Sequence, residues 1–184
     1  AVLEAGSDVA AGATKANSAI LHAGYDPEPG TLMARLNVTG VSMAEEICWK
    51  LDVPYRKNGS MVLAFSGKDR DCLRELMNRG ERNGVPNLRL LTGEEARLLE
   101  PELSREVVEA LLAPSAAIVN PWEYALAMAE TAVRNGVELY RNCRVTAITR
   151  EKGGFAVTAG DKVFHGKYII NAAGVHAGTV RQLV

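Results

Sequence analysis

The chain has 184 residues, 21 basic against 22 acidic side chains, a formal charge of −1, and 47% hydrophobic residues, the profile of an ordinary globular protein able to bury a core without staples. The balanced charge excludes a basic footprint for a nucleic-acid backbone, and no apolar run reaches the roughly 20 residues a bilayer-spanning helix needs. Three well-separated cysteines, Cys48, Cys72 and Cys143, without histidines at ligand spacing, fit neither a disulfide framework nor a zinc site; no metal site is expected, and a reducing cytoplasm is the default compartment.

The first residues, Val2-Leu3-Glu4, read as the end of a buried strand that stops on a carboxylate. In a dinucleotide-binding half-fold, the acid after the second strand accepts from ribose hydroxyls, which makes Glu4 a candidate, with a solvated strand-end glutamate as the alternative. The glycine-rich phosphate turn that should precede such a strand is absent from the sequence, so the chain reads as an internal piece of a longer protein. A Gly-, Ala-, Ser- and Thr-rich stretch from Ala5 to Ser18 follows, long and polar enough to suggest a functional loop, and the Pro27-Glu28-Pro29-Gly30 turn closes the segment after it.

Leu32, Leu36, Met43, Ile47 and Leu51 recur at three- and four-residue steps, predicting an amphipathic helix that ends at Asp52-Val53-Pro54. Ser60 to Phe65 reads as a strand and Lys68 to Arg82 as a charged helix stopped by Asn83-Gly84. Leu88 to Leu91 is a short strand, and Thr92 with Glu95 forms a capping box that opens a helix ended by Pro101. Val107 to Ala113 is another strand, and residues 114–119 are a loop. Asn120, Pro121 and Glu123 open the next helix, which closes at Asn135-Gly136. Alternation then replaces helical spacing: strands at Val137 to Tyr140 and Arg144 to Ile148, and a meander turning at Gly153-Gly154 and Gly160-Asp161. The run Tyr168 to Asn171, followed by Ala172-Ala173-Gly174, has the pattern of a buried parallel strand whose small-residue end admits a close neighbour. The expected fold is mixed α/β: a partial nucleotide-binding domain, residues 1–30 and 120–184, interrupted by an inserted mixed-sheet domain, residues 31–119.

Val2-Leu3-Glu4, the block from Thr14 to Tyr25, Asn58-Gly59-Ser60 and Ile170 to Gly174 together resemble the D-amino-acid-oxidase-like family of FAD-dependent oxidoreductases. Within it the chain is most similar to the branch holding FAD-linked glycerol-3-phosphate dehydrogenases and L-2-hydroxyglutarate oxidases. The resemblance runs in order along essentially the whole chain, and the Asn17-Ser18-Ala19-Ile20-Leu21-His22-Ala23-Gly24-Tyr25 block is its most specific part. It implies FAD as cofactor, with Glu4 on the adenosine ribose, Thr14, Lys15, Ala16, Asn17 and Ser18 beside the pyrophosphate and flavin, Val145 at the adenine, and Ala172, Ala173 and Gly174 at a close approach to the cofactor. It implies His22 beside the flavin as the base for a substrate hydroxyl; the alternative is a histidine that only holds backbone. Tyr25 and Arg35 are weaker pocket candidates, read first as core packing and a helix-surface charge.

The resemblance thus implies oxidation of a small hydroxy acid or glycerol 3-phosphate by hydride transfer to the flavin. The alternatives are oxidation of an amine by the same cofactor, and an isolated binding module without catalysis. Lacking the glycine turn, this piece by itself is expected to be inactive and to self-associate through its open sheet edge, with the whole protein cytoplasmic or peripheral to a membrane.

Overall fold

The computed structural model describes residues 1–184, which form two compact units: 1–17 with 121–184, and 18–120. Residues 18–30 therefore pack with the central unit, whereas the sequence boundary at 30/31 had grouped them with the flanks. The physical reason lies in two long-range contacts that local pattern does not encode. Strand β2 (Ile20–Leu21) pairs antiparallel with β7 (Ala117–Val119), and Ala23 and Tyr25 enter the core of this unit. β7 also corrects the loop expected at 114–119: three residues suffice for a strand here because β2 and β3 (Tyr55–Arg56) pair with it on either side.

In the central unit, α1 (Leu32–Lys50) starts where the Thr31 hydroxyl accepts from Ala34 N–H, and α2 (Gly67–Arg82) where the Ser66 hydroxyl accepts from Asp69 N–H. The expected capping box is present at α3 (Gly93–Leu99), with Thr92 and Glu95 bonded reciprocally. Strands β4 (Ser60–Ala64), β6 (Glu109–Ala113) and β5 (Arg89–Thr92) form an antiparallel sheet with β6 in the middle. Period-two alternation along β6 divides two cores. Leu111 and Ala113 face a cluster with Leu73 of α2, Val85, Leu88, Ala23 and Tyr25, while Ala110 and Leu112 join Leu91 and Ala96 of α3. Leu73 and Leu111 are almost wholly buried, each worth about 1.5–3 kcal/mol in apolar transfer.

The other unit opens on β1 (Val2–Leu3), which pairs in parallel with β8 (Leu139–Tyr140) and has no neighbour on its other edge. Helix α4 (Pro121–Arg134) precedes β8, and β9 (Val145–Glu151), β10 (Gly154–Ala159) and β11 (Lys162–Gly166) make the expected meander. The ring of Tyr140 meets Phe164 edge to face at 4.8 Å, tying β8 to β11. Its buried apolar residues are Cys143, Ile148 and Ala159 alone.

The buried parallel strand expected at Tyr168 to Asn171 is not formed. These residues are irregular, and Tyr168 and Ile170 stand 89% and 92% exposed. A strand is stabilised by the ladder it shares with a neighbour, and no strand of the chain bonds to this run. The backbone instead closes a turn: Asn171 Nδ2 donates to Ala177 O, Ala173 N–H donates to Asn171 Oδ1, and a single 3₁₀ turn, Gly174–His176, leads into α5 (Ala177–Arg181).

Candidate functional site

Glu4 sits at the end of β1, half-buried, in a stretch bonded to the other end of its unit: Glu4 N–H donates to Tyr140 O, Cys143 N–H to Glu4 O, and Asn142 N–H to Gly6 O, each at 2.8 Å. Its Oε1 accepts from Gly6 N–H at 2.6 Å, and Oε2 has no protein partner. A Cβ at Gly6 would come within 3.1 Å of that carboxylate oxygen and 3.3 Å of Asp8 O, so the bend is close-packed there. A carboxylate held by one backbone donor with its second oxygen open is suited to accept from a sugar hydroxyl. Val145 opens β9 two residues after Cys143, so the structure brings the Glu4 and Val145 positions to one end of the same unit.

Thr14, Lys15, Ala16, Asn17 and Ser18 lie in an exposed stretch of turns. Asn17 Nδ2 donates to Thr14 O at 2.7 Å and to Ala13 O at 3.2 Å, closing its own loop. The Thr14 and Ser18 hydroxyls and the Lys15 ammonium have no partner in the protein. The Thr14 hydroxyl and the Lys15 ammonium are of the chemical kind that suits a phosphate. Ala172, Ala173 and Gly174 stand where the turn after Asn171 begins, and Gly174 is in the left-handed region at φ +56° with open space where a side chain would be. Small residues there leave a surface another molecule can approach. These residues fit an adenine dinucleotide in chemistry: an acid for the ribose, hydroxyls and an ammonium for phosphates, and bare backbone beside the meander.

His22 belongs to the central unit and follows β2 directly. Its ring is exposed and makes no hydrogen bond, while the next three residues, Ala23, Gly24 and Tyr25, are buried. The backbone beneath the ring is held by side chains from two helices. Asn37 of α1 donates from Nδ2 to His22 O at 2.9 Å. From the end of α2, Asn83 Nδ2 donates to Gly24 O at 2.9 Å and Pro27 O at 2.8 Å, and Arg79 Nη1 donates to Asp26 O at 2.8 Å. Arg79 also faces Glu28 at 3.8 Å. Gly24, at φ +106°, carries no side chain because a Cβ would lie 2.5 Å from Val38 Cγ2. The alternative role of a histidine that holds backbone finds no bond from its ring; the holding is done by Asn37, Arg79 and Asn83. The sequence reads Asn37 and Arg79 as ordinary polar residues on their helices and Asn83 as a helix stop, and none of the three as a support for His22.

Tyr25 is core, 8% exposed, and stacks its Cβ over Gly80 of α2. Arg35 is on the surface, at a cavity of about 460 Å³ lined also by Thr31, Arg82 and Asn83. His165 pairs with Glu151 on the meander at 3.0 Å, and His176 opens α5 without a side-chain cap.

A mixed α/β chain with an acid at the end of a parallel strand and a hydroxyl-bearing loop after it is compatible with a nucleotide-binding fold. The family profile described as FAD dependent oxidoreductase (DAO) matches residues 1–184, and the chain belongs to that family. It is 39% identical over 184 residues to the glycerol 3-phosphate dehydrogenase of Caloramator mitchellensis, covering 100% of this chain and 38% of that protein. It is 29% identical over 194 residues to the mitochondrial L-2-hydroxyglutarate dehydrogenase of Mus musculus, covering 99% of this chain and 41% of that one. The dithionite-reduced L-α-glycerophosphate oxidase from Mycoplasma pneumoniae with FAD bound superposes with a TM-score of 0.91 at 29% identity, over 98% of this chain and 49% of that chain. The chain thus spans less than half the length of these relatives. No helix is long and apolar enough to cross a membrane.

Proposed function

We propose that the protein to which this chain belongs oxidises a small hydroxylated acid or glycerol 3-phosphate, taking a hydride from the carbinol carbon to FAD, with His22 as the base. The observation that carries this reading is the His22 ring, unbonded and exposed on a backbone fixed by Asn37 of α1, Arg79 of α2 and Asn83, which caps α2. Glu4 would accept from the ribose of the adenosine, the Lys15 ammonium would offset diphosphate charge with the Thr14 and Ser18 hydroxyls as donors, and Val145 and Ala172 to Gly174 would leave backbone open to the ring systems. FAD, when bound, supplies the two-electron acceptor that no side chain can provide.

His22 acts on the substrate hydroxyl. A neutral imidazole nitrogen accepts the hydroxyl proton as the carbon–hydrogen bond breaks, the oxygen's electron pair forms the new carbonyl, and the carbon's hydride departs to the acceptor. The product is the keto acid or keto phosphate, and the proton stays on His22 until solvent removes it. Similarity to a glycerol 3-phosphate dehydrogenase and an L-2-hydroxyglutarate dehydrogenase supports a substrate bearing a hydroxyl beside an anionic arm.

Anaerobic mixing of the full-length, flavin-loaded protein with glycerol 3-phosphate and L-2-hydroxyglutarate separately, following flavin bleaching across pH, tests this. One of the two should bleach the flavin, glycine should not, and His22→Asn should slow bleaching by roughly 100- to 10,000-fold, about 3–5 kcal/mol of barrier. Bleaching by glycine alone would move the reading to amine oxidation. A His22→Asn variant within about threefold of the parent rate, with an unchanged pH profile, would remove His22 as the base.

A further inference from the structure

We infer that Asn83 is a positioning residue for His22: its single side-chain nitrogen bridges the carbonyls of Gly24 and Pro27 and so sets the direction in which the imidazole leaves the backbone. The inference rests on the reading of His22 as the base, and its own foundation is geometric. The two bonds, 2.9 and 2.8 Å, span 59 and 56 residues of sequence, so they are not the local self-capping that asparagines at helix ends usually provide. Asn83 performs the local task with its backbone, whose N–H donates to Arg79 O at the end of α2. That leaves the side chain for the loop.

Three features show that the side chain is placed for its donors. Its Oδ1 is buried without any hydrogen-bond partner, an unfavourable placement that persists only because both Nδ2 hydrogens are engaged. The partners are two carbonyls, so the amide orientation is determined, and an aspartate of the same shape would set its oxygens against them. The bridged segment has no slack elsewhere: Ala23 and Tyr25 are buried on one side, and Gly24 already lies too close to Val38 for a Cβ. His22, two residues before the first bridged carbonyl, is held directly only by Asn37 at its own carbonyl oxygen. Loss of the bridge therefore leaves Asn37 and Arg79 holding residues 22 and 26, with the turn between them kept by packing alone and the Gly24 and Pro27 carbonyls without a side-chain donor.

A base misplaced by about 1 Å loses roughly 100-fold in rate, so Asn83→Ala should lower the bleaching rate constant by about 10- to 100-fold with KM changed by less than about threefold. Asn83→Asp should match or exceed that loss, and Asn83→Ser, which keeps one donor, should fall between. The first experiment is hydrogen–deuterium exchange of the full-length protein. Peptides over 22–28 should exchange at least about tenfold faster in Asn83→Ala, while those of α2 and β6 stay within about twofold of the parent. The second is a double-mutant cycle with His22→Asn. If Asn83 acts through His22, adding Asn83→Ala to His22→Asn should slow bleaching by no more than about two- to threefold further. Fully multiplying effects, or a 22–28 segment no looser than in the parent, would overturn the inference while leaving His22 as base. His22→Asn at the parent rate would instead overturn the base assignment, and with it the positioning role. Asn83→Ser supplies the same readouts should Asn83→Ala fold poorly.

Discussion

Gly80 and Gly40 both lie inside helices, α2 and α1, and the same substitution should have opposite signs at the two. Glycine to alanine in a helix interior ordinarily stabilises by up to about 1 kcal/mol, because alanine loses less backbone entropy on folding. At Gly40 a Cβ meets nothing within 4 Å, so Gly40→Ala should gain close to that amount. At Gly80 the Cβ would overlap Leu88 Cδ1 and approach Tyr25 Cβ to 2.9 Å and Tyr25 Cα to 3.3 Å. Leu88 can rotate the end of its side chain away. Tyr25 cannot retreat, because the carbonyls on either side of it, those of Gly24 and Asp26, are bonded to Asn83 and Arg79. Overpacking of this kind costs about 1–3 kcal/mol, and a fixed neighbour places Gly80→Ala in the upper half of that range, a net loss of about 1–2 kcal/mol after the helical gain. Urea unfolding followed by far-ultraviolet circular dichroism, with both variants and the parent fitted to a common m-value, measures the pair. Gly80→Ala as stable as the parent would refute the claim that α2 and the His22 turn are packed to contact. Gly40→Ala less stable than the parent would show that the exposed face of α1 is covered in the whole protein.

Acid sensitivity should appear at the start of α3, where the Thr92 N–H and hydroxyl donate to Glu95 and hold its carboxyl below the usual range. Since the folded-state value is the lower one, this stabilisation is fully present above about pH 4.5 and is lost as pH falls through the depressed folded value. Thr92→Ala, which removes the cap at a cost of about 1 kcal/mol, should therefore lower Tm more at pH 7 than at pH 3, and equal shifts would contradict this. The cysteines should divide by burial. Cys72 is exposed on α2, whereas Cys48 is fully buried, with its thiol pushed up by that burial. Iodoacetamide at pH 7.5 should label Cys72 in native protein and Cys48 only after unfolding, and comparable rates would mean α1 opens readily.

Element type and helix starts were legible because they are local. Thr92 and Glu95 lie three residues apart, and the apolar steps of α1 and the glycines of the meander act on neighbouring backbone. The candidate residues Glu4, Thr14 to Ser18, Val145, Ala172 to Gly174 and His22 were legible as a resemblance, through residue types at fixed spacing. The run from Tyr168 to Asn171 shows the limit of local pattern: its apolar composition predicts a buried strand, but a strand exists only where another chain segment accepts its hydrogen bonds, and here none does. β7 is the converse, three residues made into a strand by partners at Ile20 and Tyr55 that lie far away in sequence. The hold on His22 is likewise tertiary. Asn37 and Arg79 are unremarkable polar residues along their helices and Asn83 reads only as a helix stop, and only the folding of α1 and α2 against residues 22–28 brings their donors to backbone carbonyls up to 59 residues distant. Composition and spacing determine which segments can be helices or strands, because those preferences are set within one turn or one pleat. Which carbonyl receives which donor is decided by the packed chain, because a hydrogen bond requires its partners within about 3 Å, and distance in sequence does not supply that.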